Sequence, residues 1–251
     1  MLQFKLGKRD TKIDTRTIQL RTILKELPPL PDAWHIDDHL PVAVPTPMFA
    51  NDKLGDCVIA GRAHQTLRFE CIEQQTCIDI SDTDVIEEYY NEGCVLHQWL
   101  PLHVDRGLVL LDALNHWRRG WTIGGERYDV YAFAEIEPWD HREVMACVAF
   151  VSGIQAGIQV PSSVWKQFEA NEVWDITTES RIEGGHCVYV NGYDTVGPKF
   201  VSWGRQCQMT WDFWKTFCDE AYGIVDNKNK PDSVVDIEML ANILRQITGE
   251  V

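Results

Sequence analysis

The chain has 251 residues, 45% of them hydrophobic and 24% charged, a composition that supports one domain of two lobes or two small domains. Its net charge of −15 argues against nucleic acid and against an anionic membrane surface, both of which call for a basic face. No apolar run approaches the roughly 18 residues of a membrane span. The first residues, Met1 to Asp10, are basic with no apolar segment behind them, unlike a secretory leader. Cytoplasmic residence is therefore expected, and with it eight reduced cysteines rather than a disulfide framework.

Residues 1–27 read as a polar extension with one weakly helical piece at 18–27. Pro28, Pro29 and Pro31 follow, then Pro41, Pro45 and Pro47, so the approach to residue 57 is extended. At Cys57 the period changes to that of a helix, with Ile59, Ala60, Ala63 and Leu67 on one face and Asp56 as N-cap. Further helices are predicted from residues 81–85, from Leu108 through Leu111, Leu114 and Trp117 to the Gly120 stop, and from Trp139. After Gly153 the pattern turns to β, with strands at 154–160, 185–193 and 199–203. Thr210 opens a short helix, 221–225 reads as a closing strand, and an amphipathic tail ends the chain. The expectation is an α+β protein, helical first and β-rich afterwards.

Two segments carry chemistry. One is Asn51-Asp52-Lys53-Leu54-Gly55-Asp56-Cys57; the other is Gly184-Gly185-His186-Cys187-Val188-Tyr189-Val190-Asn191-Gly192-Tyr193. A thiol at a helix start meets unpaired amides and the positive end of the helix dipole, which favour its thiolate. An imidazole on a strand takes the thiol proton and returns it to a leaving group. Singly, Cys57 and His186 would each be ordinary core residues. Paired in these contexts, roughly 130 residues apart, they are the two halves of a nucleophile site. That arrangement predicts a thiolate persisting well below the ordinary value of about 8.5.

Over residues 28–225 the chain resembles the papain-like (C1-type) cysteine peptidases. Leu30-Pro31-Asp32-Ala33-Trp34 is similar to the family's mature N-terminus, and Gly55-Asp56-Cys57 stands where the family has Gly-Ser-Cys. His186 followed by Gly192-Tyr193 reproduces its His-x5-Gly-Tyr spacing, and Ser202-Trp203-Gly204 resembles the tail of its Asn-Ser-Trp-Gly motif. The resemblance implies a two-lobed α+β fold, with a helical N-terminal lobe over about 30–119 and a β-barrel-like C-terminal lobe over 120–225. Residues 1–27 are then an extension and 226–251 a tail. It implies Cys57 as nucleophile, His186 as acid/base, and Asn51, at the family's glutamine position, as oxyanion stabiliser beside backbone amides. Gly55, Gly184 and Gly185 would leave room for a substrate backbone, and Trp203 would shield His186. No cofactor or metal is implied, and the partner is a peptide or protein substrate.

Three departures stand out. Val201 occupies the position of the asparagine that orients the histidine, and valine has neither donor nor acceptor. Leu54 replaces a disulfide cysteine. Only about 27 residues precede the mature-like start, so the long inhibitory propeptide has no counterpart. Elsewhere, Cys94, His97 and His103 have some metal-ligand character without a fourth partner. Asp194 is either a third member of a Cys-His-Asp set or a turn-former. Three functions remain open: thiol-dependent peptide or amide hydrolysis through an acyl-enzyme, another Cys-His acyl transfer, and a non-catalytic papain-fold protein that binds a partner or serves in assembly.

Overall fold

The computed structural model describes residues 4–248 apart from 94, 98–99, 103–104, 179 and 229. Among the described residues seven α-helices run in chain order: α1 (Cys57–Gln74), α2 (Asp82–Gly93), α3 (Leu110–Trp117), α4 (His141–Phe150), α5 (Val164–Glu169), α6 (Trp211–Phe217) and α7 (Ile237–Thr248). The strands are β1 (Trp34–His35), β2 (Val95–His97), β3 (Leu100–Leu102), β4 (Trp121–Ile123), β5 (Glu126–Tyr128) and β6 (Val130–Glu135). They continue with β7 (Ile154–Pro161), β8 (Ile182–Tyr193), β9 (Pro198–Ser202), β10 (Arg205–Gln208) and β11 (Cys218–Asp226). Seven strands make one antiparallel sheet in the order β10-β9-β8-β7-β11-β6, with β1 beside β8.

Two hydrophobic clusters define two lobes. One joins α1, α2 and α3 through Leu67, Val85, Leu111 and Trp117. The other lies between the sheet and the helices α4 to α7, around Val144, Val188, Trp174 and Trp214. The two-lobed α+β layout expected from the sequence is therefore present.

Helix α1 belongs to both lobes, and its burial explains a weak sequence signal. Every residue from Cys57 to Cys71 is buried, including Arg62, His64, Gln65, Arg68 and Glu70. A helix packed on all sides needs no single apolar stripe, but its polar groups then need partners inside. Arg68 forks onto the Asp37 carboxylate at 2.8 and 2.7 Å. Arg62 pairs with Glu92 at 2.6 Å and Glu88 at 3.1 Å, and it donates to the Ala113 carbonyl at 2.7 Å. Gln155 on β7 donates to the Gly61 carbonyl and to Gln65, at 3.0 and 2.8 Å.

Several local expectations change. The helix predicted at 18–27 is a single 3-10 turn, Leu20–Thr22. Here the sheet and tail win the backbone: Gln19 bridges Glu135, Leu24 bridges Val235, and Ile18, Leu20 and Ile23 sink into the sheet-side core. The β4–β5 hairpin, absent from the sequence reading, turns on Gly124-Gly125, whose positive φ angles of 58° and 89° make the tight turn a hairpin favours. The tail is α7, whose Leu240 is buried in the sheet-side core. Asp194 is a turn-former: its carboxylate accepts the Val196 and Gly197 amides at 2.8 and 3.3 Å.

Removing Arg62 tests the account of α1. In Arg62→Leu the Glu92 side chain, 3% exposed, stays buried without its cation, and its carboxyl, which burial already pushes up to about 8, takes a proton. A loss of about 1–3 kcal/mol is expected from the buried acceptors left without the guanidinium, read from the midpoint of urea unfolding; no change would remove the polar account of that helix.

Candidate active site

The loop before α1 turns sharply, with Phe49 and Ala50 at positive φ (55° and 59°), and it delivers Cys57 to the first turn of the helix. Asp56 takes the N-cap position, yet its side chain makes no capping bond. It turns instead to Asn51, whose Nδ2 donates to Asp56 Oδ1 at 2.9 Å and to the Leu54 carbonyl at 3.2 Å. Both amide hydrogens of Asn51 are thus committed to holding the loop. This corrects its expected role: the side chain has no hydrogen left for a substrate oxygen. Because Asp56 leaves the first-turn amides uncapped, the backbone N–H of Cys57 is the donor that remains there. Burial pushes the Asp56 carboxyl up to about 8, partly offset by the Asn51 hydrogen bond.

The strand β8 brings the second half. The Cys187 N–H donates to Cys57 Sγ at 3.3 Å, so the thiol sits against the residue that follows His186. The imidazole bonds through Nε2 to Ser202 Oγ at 2.7 Å and stacks on Trp203, with ring centroids 4.1 Å apart and planes 17° from parallel. Its Nδ1 is buried without a partner. Trp203 and Gly204 form a two-residue turn with positive φ angles of 44° and 70° between the paired residues Ser202 and Arg205. That turn lays the indole over the histidine.

Ser202 is the residue the sequence reading missed. Val201 pairs with Tyr189 and packs beside it and Ile36, in a small cluster of its own. Strand side chains alternate between faces, so residues 186, 188 and 190 share a face, as do 200 and 202. Val188, Val190 and Phe200 lie together in the sheet-side core. Parity along β9, rather than motif alignment, assigns Ser202 to the histidine.

Gly55, Gly184 and Gly185 border the same cleft, and what approaches them is the chain itself. Residues 4–11 form an N-terminal strap, of which residues 6–9 run between the lobes. The Lys8 N–H donates to the Gly185 carbonyl at 3.0 Å, the Leu108 N–H to the Gly7 carbonyl at 2.8 Å, and the Arg9 N–H to the Leu108 carbonyl at 2.8 Å. A Cβ on Gly7 would lie 1.8 Å from the Gly55 carbonyl oxygen, one on Gly185 2.5 Å from that of Lys8, and one on Gly184 3.0 Å from Leu6 Cδ1. The short extension therefore fills the cleft, although no long propeptide was expected.

Under the strap, Cys57 is 1% exposed and His186 fully buried. Burial pushes the Cys57 thiol up to about 12, against the Cys187 amide that favours the thiolate. Burial also pulls the His186 imidazole down to about 3. The expected low thiolate pKa is thus reversed in the closed cleft, where both groups are neutral. Desolvation outweighs the helix terminus.

Of the other candidates, Cys94 and His103 lie outside the described residues. Among the described residues no group of three His, Cys, Asp or Glu side chains could hold a metal, and no helix is long and apolar enough to cross a membrane. All seven described cysteines are free.

The fold is that of the papain-like cysteine proteases. Xylellain, a cysteine protease from Xylella fastidiosa, superposes with a TM-score of 0.61 at 17% identity, over 87% of this chain and 95% of that one. Digestive procathepsin L 3 of Tenebrio molitor larval midgut gives 0.59 at 10% identity, over 85% and 75%. The Carica candamarcensis cysteine protease CMS1MS2, in complex with E-64, gives 0.55 at 10% identity, over 79% and 100%. No protein-family model matches the sequence, and no curated protein matches it.

Two measurements check this site. Iodoacetamide at pH 7 should label the half-buried Cys77 and Cys207 before Cys57. Lys8→Ala, which takes the strap's ammonium from Asp219 and the buried Glu220, should raise Cys57 labelling at least about tenfold. Fast labelling of Cys57 in the unaltered chain would contradict the closed cleft.

Asp56 supplies a pH test. Its carboxyl is raised from 3.8 to about 8 in the fold, so the folded state keeps a proton that the unfolded state releases, and stability falls as pH rises between these values. Asp56→Asn removes that dependence and keeps the acceptor for Asn51. Its melting temperature relative to the unaltered chain should climb between pH 4 and pH 8 by at least about 3 °C. A flat difference would show Asp56 ionised in the fold.

Proposed function

We propose that the protein is a thiol-dependent peptide or amide hydrolase whose cleft is closed by its own N-terminal strap. The observation that carries this reading is the bond between His186 Nε2 and Ser202 Oγ, 2.7 Å long, which leaves the buried Nδ1 without a partner one residue from the amide that meets Cys57 Sγ. With Ser202 accepting from Nε2–H, the Nδ1 lone pair is the base. It takes the Cys57 proton, and the thiolate attacks the substrate carbonyl carbon. The oxyanion is met by the Cys57 backbone N–H at the uncapped end of α1. The amine leaves with the proton from His186. Water, deprotonated by the same ring, then releases the acid from the thioester.

The fold shared with cysteine proteases supports this reading, and so does a strap lying where an extended peptide would lie. Full burial of Cys57 and His186 favours a rival, a papain-fold protein that binds a partner without chemistry. Turnover separates the two. In the Lys8→Ala background, hydrolysis of a peptide amide should vanish with Cys57→Ser, and Cys57-independent turnover or none would leave the binder. Ser202→Ala should lower kcat by roughly tenfold to a hundredfold and shift the pH profile. Val201→Asn, which points away from His186, should bring no gain.

A further inference from the structure

We propose that the pocket filled by Lys8 is a substrate subsite for a lysyl side chain, an inference that rests on the hydrolase reading above. The Lys8 side chain is wholly buried, and its Nζ lies 2.8 Å from both Asp219 oxygens, 2.8 Å from Glu220 Oε1 and 3.1 Å from Thr11 Oγ1. Thr11 belongs to the strap and leaves with it. The carboxylates belong to β11 and are positioned from the sheet: Tyr222 donates its hydroxyl to Glu220 at 3.1 Å, and Gln159 on β7 donates to Asp219. The pocket is therefore formed without its occupant.

Its shape matches its charge. Gly157 on β7 leaves the channel for the aliphatic stem; a Cβ there would stand 2.4 Å from Lys8 Cε and 2.8 Å from Glu220 Cγ. The Lys8 backbone meanwhile pairs with Gly185, directly before His186, so this pocket opens beside the proposed base. The main-chain groups that hold the strap are those any extended peptide would use, and they read no side chain. Discrimination falls to Asp219 and Glu220. Glu220 is buried, with Asp219 at the pocket's more open edge; the pair needs a cation between them, and a neutral or acidic side chain leaves the buried Glu220 carboxylate without one. The net charge of −15 draws basic segments toward the molecule in addition.

The test uses the full chain carrying Lys8→Ala, so that the pocket is emptied of its own ammonium. Acetylated tripeptide chloromethyl ketones carry lysine or norleucine at each of the three positions before the electrophile, and labelling of Cys57 is followed by peptide mapping. At one position lysine should react at least about tenfold faster than norleucine, and Glu220→Gln should erase that preference. Because the probes act irreversibly and face the same strap, competition from it cancels in the ratio. Equal rates at all three positions would overturn the subsite while leaving the hydrolase reading in place. If no probe reaches Cys57, the hydrolase reading falls, and diazirine-bearing versions of the same peptides decide the pocket. Lysine-selective photocapture on residues 155–161 or 218–226 supports it; capture indifferent to lysine overturns it. Lys8→Met, which keeps the stem volume, replaces Lys8→Ala should the latter not fold.

Discussion

The seam between α1 and the two central strands β7 and β8 holds the two lobes in register. Gln155 reaches from β7 to the Gly61 carbonyl and Gln65, and a Cβ at residue 61 would come within 2.7 Å of its amide oxygen. One turn earlier, the Cys187 amide meets Cys57 Sγ. Direct hydrogen bonds between a buried helix and a sheet fix the relative position of the lobes more closely than apolar contact does, because they are directional and costly to leave unmade. The thiol is thereby placed beside the strand that carries His186. The arrangement also demands small residues and internal partners along α1, which is why that helix looks polar in sequence and is buried in the fold.

Much of this was legible because local chemistry and tertiary role agree. The α1 start, the turn after Trp117, the β8 alternation and the Thr210 cap each follow from local rules, and the structure places helices and strands close to them. What escaped was of another kind. A motif match put Val201 opposite His186, whereas side-chain alternation along β9 puts Ser202 there. Asn51 was read by position, yet its two hydrogens close the loop that shapes the nucleophile turn. The strap was invisible for a different reason. Its pairing with Gly185 and Leu108 is non-local backbone bonding, and backbone bonding leaves little trace in side-chain pattern. Only the glycines at 7, 55, 107 and 185 recorded it, each at a point where two backbones nearly touch.

The strap also changes the proton affinities around the site. A nucleophile turn in an open cleft has water on one side, and the helix end and the imidazole then stabilise the thiolate. Covered by residues 6–8, the same turn loses that solvation, and the neutral pair prevails. In the proposed hydrolase, closure therefore acts on the thiol in two ways at once: it bars access, and it favours the protonated sulfur.

In the proposed hydrolase the histidine is met by the Ser202 hydroxyl rather than by the amide the resemblance implies, which shifts work onto Trp203. A carboxamide oxygen can only accept, so it fixes which ring nitrogen bears hydrogen. A serine hydroxyl can donate or accept by rotating, so Ser202 alone leaves the tautomer open. The indole does not choose the tautomer, but stacked at 4.1 Å it holds the ring plane, and its neighbours Trp165, Phe168 and Trp174 keep it from swinging away. Phe4 of the strap adds to that packing at 5.4 Å, so the histidine is held most tightly while the cleft is closed. In the proposed hydrolase, release of the strap removes one wall of the packing around His186. The orientation of His186 and the occupancy of the cleft are thus coupled through a single indole ring.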